Sequence, residues 1–461
     1  MAKRGQDLLD LPDKSSIKPE NNEEEIGEFE DAWEDELESE EEVSEEEIIN
    51  GDSVGMEIED DDDEENAAGG DQLQQNLKVY LPGQRLGKDE VLEADQSAYE
   101  MLHSINVQWP CLSFDILWDE LGEERRKYPA TAYIVAGTQA DKPKNNELMV
   151  IKMTQMHKTQ NDDILEYKRL KHYGGVNRVR VTPQREIHIA ASWSETGKVH
   201  IWDLNPLISS LDTPGKMINE KLLKPKYTIE SHNTEGFAMD WSGRVTGRLL
   251  TGDNNSNIFL TTSAQSTFKA DNVPYRGHTS SVEDLQWSPS ENNVFASASA
   301  DQTVRIWDTR NKKKEALGIK AHEADVNVIT WNRKVEYLLA SGSDDGVFSI
   351  WDLRTFVNNN QKSTPVATFK WHSAPITSIE WNPNEESVLS VSGADDQISI
   401  WDLSVEHDPE EDIRLGRSKI YTENGTEGQN DIKELHWHPQ IPGCIISTAL
   451  TGFNVFKTIS V

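Results

Sequence analysis

The chain has 461 residues, too many for one ordinary compact core, so it holds several domains or a repeat array. Its 82 acidic and 45 basic residues give a formal net charge of −37, which argues against direct nucleic-acid binding and predicts basic partners. Cys111 and Cys444 are too few for a disulfide framework or a cysteine zinc site, and read as buried small residues in a reducing compartment. No apolar leader follows the N-terminus and no apolar run is long enough to span a bilayer, which predicts an intracellular, soluble protein.

The first 70 residues hold 29 acidic and four basic residues, a net of −25, so the other 391 carry only −12. So little apolar surface and so much self-repulsion predict disorder over residues 1–75. Phe29 and Trp33 interrupt the acidic tracts. They read either as anchors for a basic partner that the charges steer in, or as incidental aromatics in a solubilising tail. Ser39 and Ser44 each precede three glutamates and suit an acidophilic kinase, although so acidic a tract also yields that pattern by chance.

Asn66-Ala67-Ala68-Gly69-Gly70 reads as a hinge. Val91, Leu92, Ala98, Tyr99, Leu102 and Ile105 recur at roughly helical spacing and predict a helix over about 88–104, broken before Trp109-Pro110. Residues 76–108 are therefore expected to be a segment that packs this helix on the body, which occupies 109–461.

From Trp109 onward the chain repeats itself. Trp-Asp closes a strand at Trp202-Asp203, Trp307-Asp308, Trp351-Asp352 and Trp401-Asp402. His278, His322 and His372 each precede the matching Trp by 29 positions, and His172 precedes Trp202 by 30. A second motif, an alternating strand ending in Trp, occurs as Val282-Glu283-Asp284-Leu285-Gln286-Trp287. It recurs with its last residue at Trp118, Val181, Trp241, Trp331, Trp381 and Trp437, giving seven starts spaced 44 to 63 residues. Seven such units predict an all-β, seven-bladed WD-repeat propeller, in which each blade buries its faces against its neighbours.

His, Ser, Asp and Trp look catalytic, but here they recur from unit to unit, and repetition argues for structure. His278, Ser297, Asp301 and Trp307 are expected to satisfy one another by hydrogen bonds inside one blade, and His322, Ser341, Asp345 and Trp351 inside the next. The third such set keeps His372, Asp395 and Trp401 but has Val391 in place of the Ser, so it is expected to be incomplete. No nucleophile elbow, phosphate loop or metal cluster is present. No catalysis and no cofactor are expected, and the chain is taken as a monomer.

Function then lies on surfaces. One candidate is the propeller face with the His loops, where Asn177, Glu195, Glu235, Phe237, Glu283, Asp325 and Asn327 would ring the channel mouth. An acidic ring around an aromatic can hold a basic peptide. The other is a side groove between the predicted helix, with Tyr99 and Leu102, and the insertion that carries Glu406, Asp408, Glu410, Glu411 and Asp412.

Ala98-Tyr99-Glu100-Met101-Leu102-His103 with Val107-Gln108-Trp109-Pro110-Cys111-Leu112-Ser113 resembles the N-terminal helix and turn of the histone-binding WD-repeat proteins of the retinoblastoma-binding and chromatin-assembly type. His172 to Arg180 looks like that family's second blade. The glutamate-rich arm joined to Leu77-Lys78-Val79-Tyr80-Leu81-Pro82-Gly83 is similar to the glutamate-rich WD-repeat proteins, ribosome assembly proteins that chaperone large-subunit ribosomal protein L-three. That resemblance implies capture of a newly made basic ribosomal protein, passage to the nucleus and nucleolus, and release into pre-60S particles. The histone-binding resemblance implies chromatin assembly as an alternative. Trp307-Asp308-Thr309-Arg310 and Trp351-Asp352-Leu353-Arg354 fit the Trp-Asp-x-Arg pattern of cullin ubiquitin ligase substrate receptors, a further alternative. Residues 77–81 are a candidate for the strand that closes the ring.

Overall fold

Alternating apolar and polar residues fold here into short strands, and the strands into seven antiparallel sheets of four. The computed structural model describes residues 98–158, 164–265, 267–356, 363–404, 421–424 and 432–459. The expectations on Phe29, Trp33, Ser39 and Ser44, on residues 76–97, and on the insertion with Glu406, Asp408, Glu410, Glu411 and Asp412 lie outside the described residues.

The sheets are the predicted blades. The first is Cys111–Leu117, Ala130–Thr138, Glu147–Met156 and Ile164–Lys171, in spatial order from the channel outward. The inner strands of the next five blades are Val176–Val181, Ala238–Trp241, Val282–Trp287, Val326–Trp331 and Ile376–Trp381. Leu435–Trp437, Cys444–Ala449 and Gly452–Thr458 begin the seventh.

The outer strand of that seventh blade is Tyr99–Asn106, which pairs antiparallel with Gly452–Thr458, Leu102 opposite Phe456 and Ile105 opposite Phe453. The segment expected to be helical is thus a strand from Tyr99 onward, and it is this strand that closes the ring. The reason is packing. Met101, His103 and Ile105 alternate into the interior while Ser104 and Asn106 face solvent, and an edge left open at the chain's other end offers partners that a helix could not use. The ring therefore begins at Tyr99, ahead of the expected boundary at 109.

The core lies between blades. Ala296, Ala298, Val304 and Ile306 of the fourth blade pack on Val326, Ile329 and Trp331 of the fifth. Inner strands are also laced side chain to backbone. Asp115 accepts from Val181 N (2.7 Å), Asp240 from Trp287 N (2.7 Å), Asp284 from Ile329 N (3.0 Å) and Glu380 from Trp437 N (3.0 Å). Glu434 closes the circle by accepting from Phe114 N at 2.9 Å. This lacing makes Ile116, not Trp118, the first-blade counterpart of Trp287. Trp118 lies beyond the strand, beneath the Arg185 guanidinium at 4.6 Å.

A helix, Asn205–Asp212, interrupts the second blade. Pro206 sits in its first turn, where a missing N–H is harmless. Leu207 and Leu211, one turn apart, bury against Leu148 and Leu170 of the first blade. Asp212 at its end accepts from Tyr133 Oη (2.6 Å) and Lys152 Nζ (2.8 Å). Among the described residues no helix is long and apolar enough to cross a membrane.

Candidate protein-binding site at the channel mouth

The repeated polar residues hold the blades together. In the fourth blade His278 joins Asp301 through Nδ1 (2.9 Å) and Ser297 through Nε2 (2.6 Å), and Trp307 Nε1 donates to the same Ser297 hydroxyl (2.8 Å). In the fifth, His322 and Trp351 meet at Ser341 (2.7 and 2.8 Å), but Asp345 is exposed and accepts from Val347 N instead of His322. Asp345 is thus a turn residue, beside Gly346 at φ +74°. In the sixth, the set expected to be incomplete is whole. Ser399, directly opposite Val391 on the adjacent strand, supplies the hydroxyl to His372 (3.0 Å) and Trp401 (2.8 Å), while Asp395 holds Nδ1 at 2.9 Å. The third blade substitutes further: His232 joins Asp253 and Thr251, both at 2.8 Å, Thr261 holds the position of the Trp, and Phe259, directly opposite Thr251, stands edge-on to the imidazole. Burial holds the His172, His278 and His322 imidazoles below their usual pKa.

A different set of charges lines the channel, a cavity of about 720 Å³. The second blade has Arg178 and Arg180 at positions held by Ser113 and Asp115 in the first blade and by Ala238 and Asp240 in the third. Both guanidiniums cross the first blade to Glu434 of the seventh, each at 2.7 Å. Glu434 is 1 % exposed, and despite burial the two arginines hold its carboxyl well below the usual range. His436 sits 3.0 Å from Glu380 and 3.7 Å from Glu434, and against the burial that opposes it these carboxylates raise its pKa to about 10. Asp240 has no such cation in contact, and burial lifts it to about 7. The sequence reading did not foresee this network, because its members are more than 250 residues apart. Its one legible signal was two arginines in a strand whose counterparts carry no lysine or arginine at those positions.

The mouth sits above these charges. Asn177, Phe237, Glu283 and Asn327 occupy one structural position, four residues before the end of their inner strands. Leu112, Thr377 and Lys433 hold the same position in the first, sixth and seventh blades; counting back from the strand ends finds them. Asn177 donates to Glu235 Oε2 (3.0 Å), and Arg178 Nε donates to the Phe237 carbonyl (2.9 Å), which fixes both neighbours. Asn327 donates to Asp344 (2.7 Å), an acidic residue the sequence reading passed over. Burial first, and then the Asp344 charge, raise the pKa of Asp325; burial foremost also raises that of Glu283, with Asp325 and Asp344 adding to it. Glu195 is exposed on a strand-connecting turn and meets the inner loop through its backbone N–H to Gly175 O.

Of the predicted side groove only the wall with Tyr99 and Leu102 lies within the described residues. Tyr99 and Leu102 pack on the cluster between sixth and seventh blades, Tyr99 edge-on to Phe456 at 6.2 Å. The arginines of the Trp-Asp-x-Arg pattern fold back: Arg310 Nε donates to Asp308 at 2.9 Å, and Arg354 lies 3.5 Å over the Tyr337 ring while bonding Asp352.

These blades define a WD-repeat β-propeller with a charged channel. The WD domain, G-beta repeat family matches residues 271–308, 313–352 and 363–402. The family described by histone-binding protein RBBP4 and its counterpart in the CAF1 complex matches residues 89–157. The chain is 49% identical to ribosome assembly protein rrb1 of Schizosaccharomyces pombe, over 97% of this chain and 96% of that protein. It is 52% identical to glutamate-rich WD repeat-containing protein 1 of Dictyostelium discoideum, covering 81% and 83% of the two. It is 42% identical to protein HEAT STRESS TOLERANT DWD 1 of Arabidopsis thaliana, covering 83% and 92%. The chain belongs to the family of these glutamate-rich, ribosome assembly WD-repeat proteins.

Proposed function

We propose that this protein is a non-catalytic carrier in ribosome assembly. It captures a newly made basic ribosomal protein of the large subunit, L-three by resemblance. It keeps that cargo soluble, and accompanies it into the nucleus and nucleolus for release into pre-60S particles. The observation that carries the reading is likeness to ribosome assembly protein rrb1 over nearly the whole of both chains. The mouth supports it. Burial foremost, with neighbouring carboxylates adding to it, raises the pKa of Glu283 and Asp325, and a lysine or arginine of the cargo would stabilise their charged forms. Purification from cells at gentle salt tests it. One large-subunit ribosomal protein should accompany the chain in stoichiometric amount.

A second reading, a histone carrier in chromatin assembly, draws on the match of residues 89–157 to the histone-binding family. Core histones as the stoichiometric partner, in place of a ribosomal protein, would establish it and end the first.

A further inference from the structure

Among the described residues the outer strands of the second to sixth blades are three or four residues long: Tyr227–Ile229, Thr267–Ala270, Leu317–Lys320, Ala367–Lys370 and Tyr421–Asn424. That of the first blade, Ile164–Lys171, has eight residues and ends its sheet. Among the described residues one other outer strand is as long, Tyr99–Asn106, and it is spent closing the ring. Native proteins keep exposed edges short because a row of unpaired N–H and C=O groups recruits another strand. A long one calls for a partner.

The edge is also chemically distinct. In a chain of net charge −37 it carries Lys168, Arg169 and Lys171 against a single Glu166. Beside it lies the segment after the second-blade helix, with Lys216, Lys221, Lys224 and Lys226 against Glu220. Ile218 and Leu223 of that segment pack on the cluster that contains Leu170 of the strand, so the segment flanks the face that carries Lys168, while Arg169 and Lys171 alternate to the other face of the same edge. Among the described residues no carboxylate pairs with Lys168, Lys171, Lys216, Lys221 or Lys224. Apolar side chains stand out along this edge: Ile164 is 50% exposed on the face toward that segment, Tyr167 43% on the other face, and in the segment Leu222 is 50% and Met217 92% exposed. Exposed apolar groups gathered in a polar setting mark a contact site.

We propose that this edge binds an extended, acidic segment of another protein as a fifth strand of the first blade. The strand would alternate glutamate or aspartate with apolar residues. Acidic side chains would meet Lys171, beside the Arg169–Glu147 pair (3.3 Å), apolar ones would cover Ile164 and the Met217–Leu222 loop, and the backbone edge would supply the ladder. Aliphatic groups and an open β-edge recognise peptide and have no use for bases, so RNA fits less well. A second copy would bring another −37 of charge to the same contact. This inference does not rest on the cargo reading, since a basic cargo and an acidic segment would occupy opposite kinds of surface.

The test uses the full-length protein and a short fluorescein-labelled peptide of alternating glutamate and valine, read by fluorescence anisotropy. Binding should weaken roughly ten-fold when alternate residues of the peptide are N-methylated, which removes the ladder without changing charge. The Lys168→Glu/Lys171→Glu variant, checked for an unchanged melting temperature, should weaken it by a similar factor, roughly ten-fold. Absence of binding, indifference to N-methylation, or indifference to the charge reversal overturns the proposal. So does an oligouridylate whose binding depends on the same lysines, or a dimer in sedimentation that the charge reversal dissolves.

Discussion

The fourth to sixth blades and the seam between the seventh, first and second blades solve the same problem in different ways. In the former, a His and a Trp recur 29 residues apart and share one hydroxyl, and each of these bonds stays within one blade. At the seam the strand lacing recurs, and a charge cluster is added to it. Glu434 alone receives Arg178, Arg180 and the Phe114 N–H from two other blades. A blade built from one stretch of chain stabilises itself by local pairs. A blade assembled from both chain ends has no such local route, and a buried charge cluster ties it to its neighbours from the inside.

The comparison predicts unequal sensitivities. Glu434→Gln should be the most damaging change, because it strands two guanidiniums; a loss of about 3–5 kcal/mol is expected for breaking a buried pair, measured by urea denaturation. A loss comparable to that of Ser399→Ala would show the seam to be no more than another repeat contact. Ser399→Ala should destabilise by about 1–3 kcal/mol, since it leaves both His372 and Trp401 without their shared partner. Adding Val391→Ser should recover much of this, because the hydroxyl returns to the strand that carries it in the fourth and fifth blades.

Two pH dependences sharpen the contrast. His436 is held up to about 10, above its ordinary 6.5, so its stabilisation is complete below about 6.5 and is lost as pH rises through 10. Glu434→Gln should flatten the alkaline part of the stability profile. Asp240 works in the opposite sense. A carboxyl raised from 3.8 to about 7 disfavours the folded state as pH climbs through that interval. Asp240→Asn, which keeps an oxygen for Trp287 N, should therefore melt higher than the wild type at pH 8 and lose that advantage at pH 3, in a calorimetric scan. The smallest effect on stability is expected at the mouth: Glu283→Gln with Asp325→Asn should leave the melting temperature unchanged or slightly raised. The same pair should lower affinity for the basic cargo and reduce its salt dependence, by titration calorimetry.

Much of the propeller could be read in advance because its signals are local. Seven alternating strands that end in an aromatic or aliphatic residue, and His–Trp spacings of 29, are properties of short stretches of chain. The mouth residues Asn177, Phe237, Glu283 and Asn327 were legible for the same reason: repetition puts them in one register. Errors arose where a non-local partner decided. Tyr99–Asn106 has both helical and strand periodicities, and only Gly452–Thr458, at the other end of the chain, selects between them. Trp118 imitated a strand end that the lacing assigns to Ile116. Val391 looked like a missing hydroxyl because the replacement stands on the next strand.

Composition and period thus determined, without any coordinates, that this chain makes a seven-bladed propeller with an acidic balance and that its recurring histidines serve the fold. Tertiary structure alone decided which strand closes the ring, which hydroxyl completes the sixth blade, and that Arg178 and Arg180 meet Glu434. The physical reason is that periodicity reports a residue's relation to its own strand, whereas closing a ring brings together groups whose separation in the chain leaves no imprint on either neighbourhood.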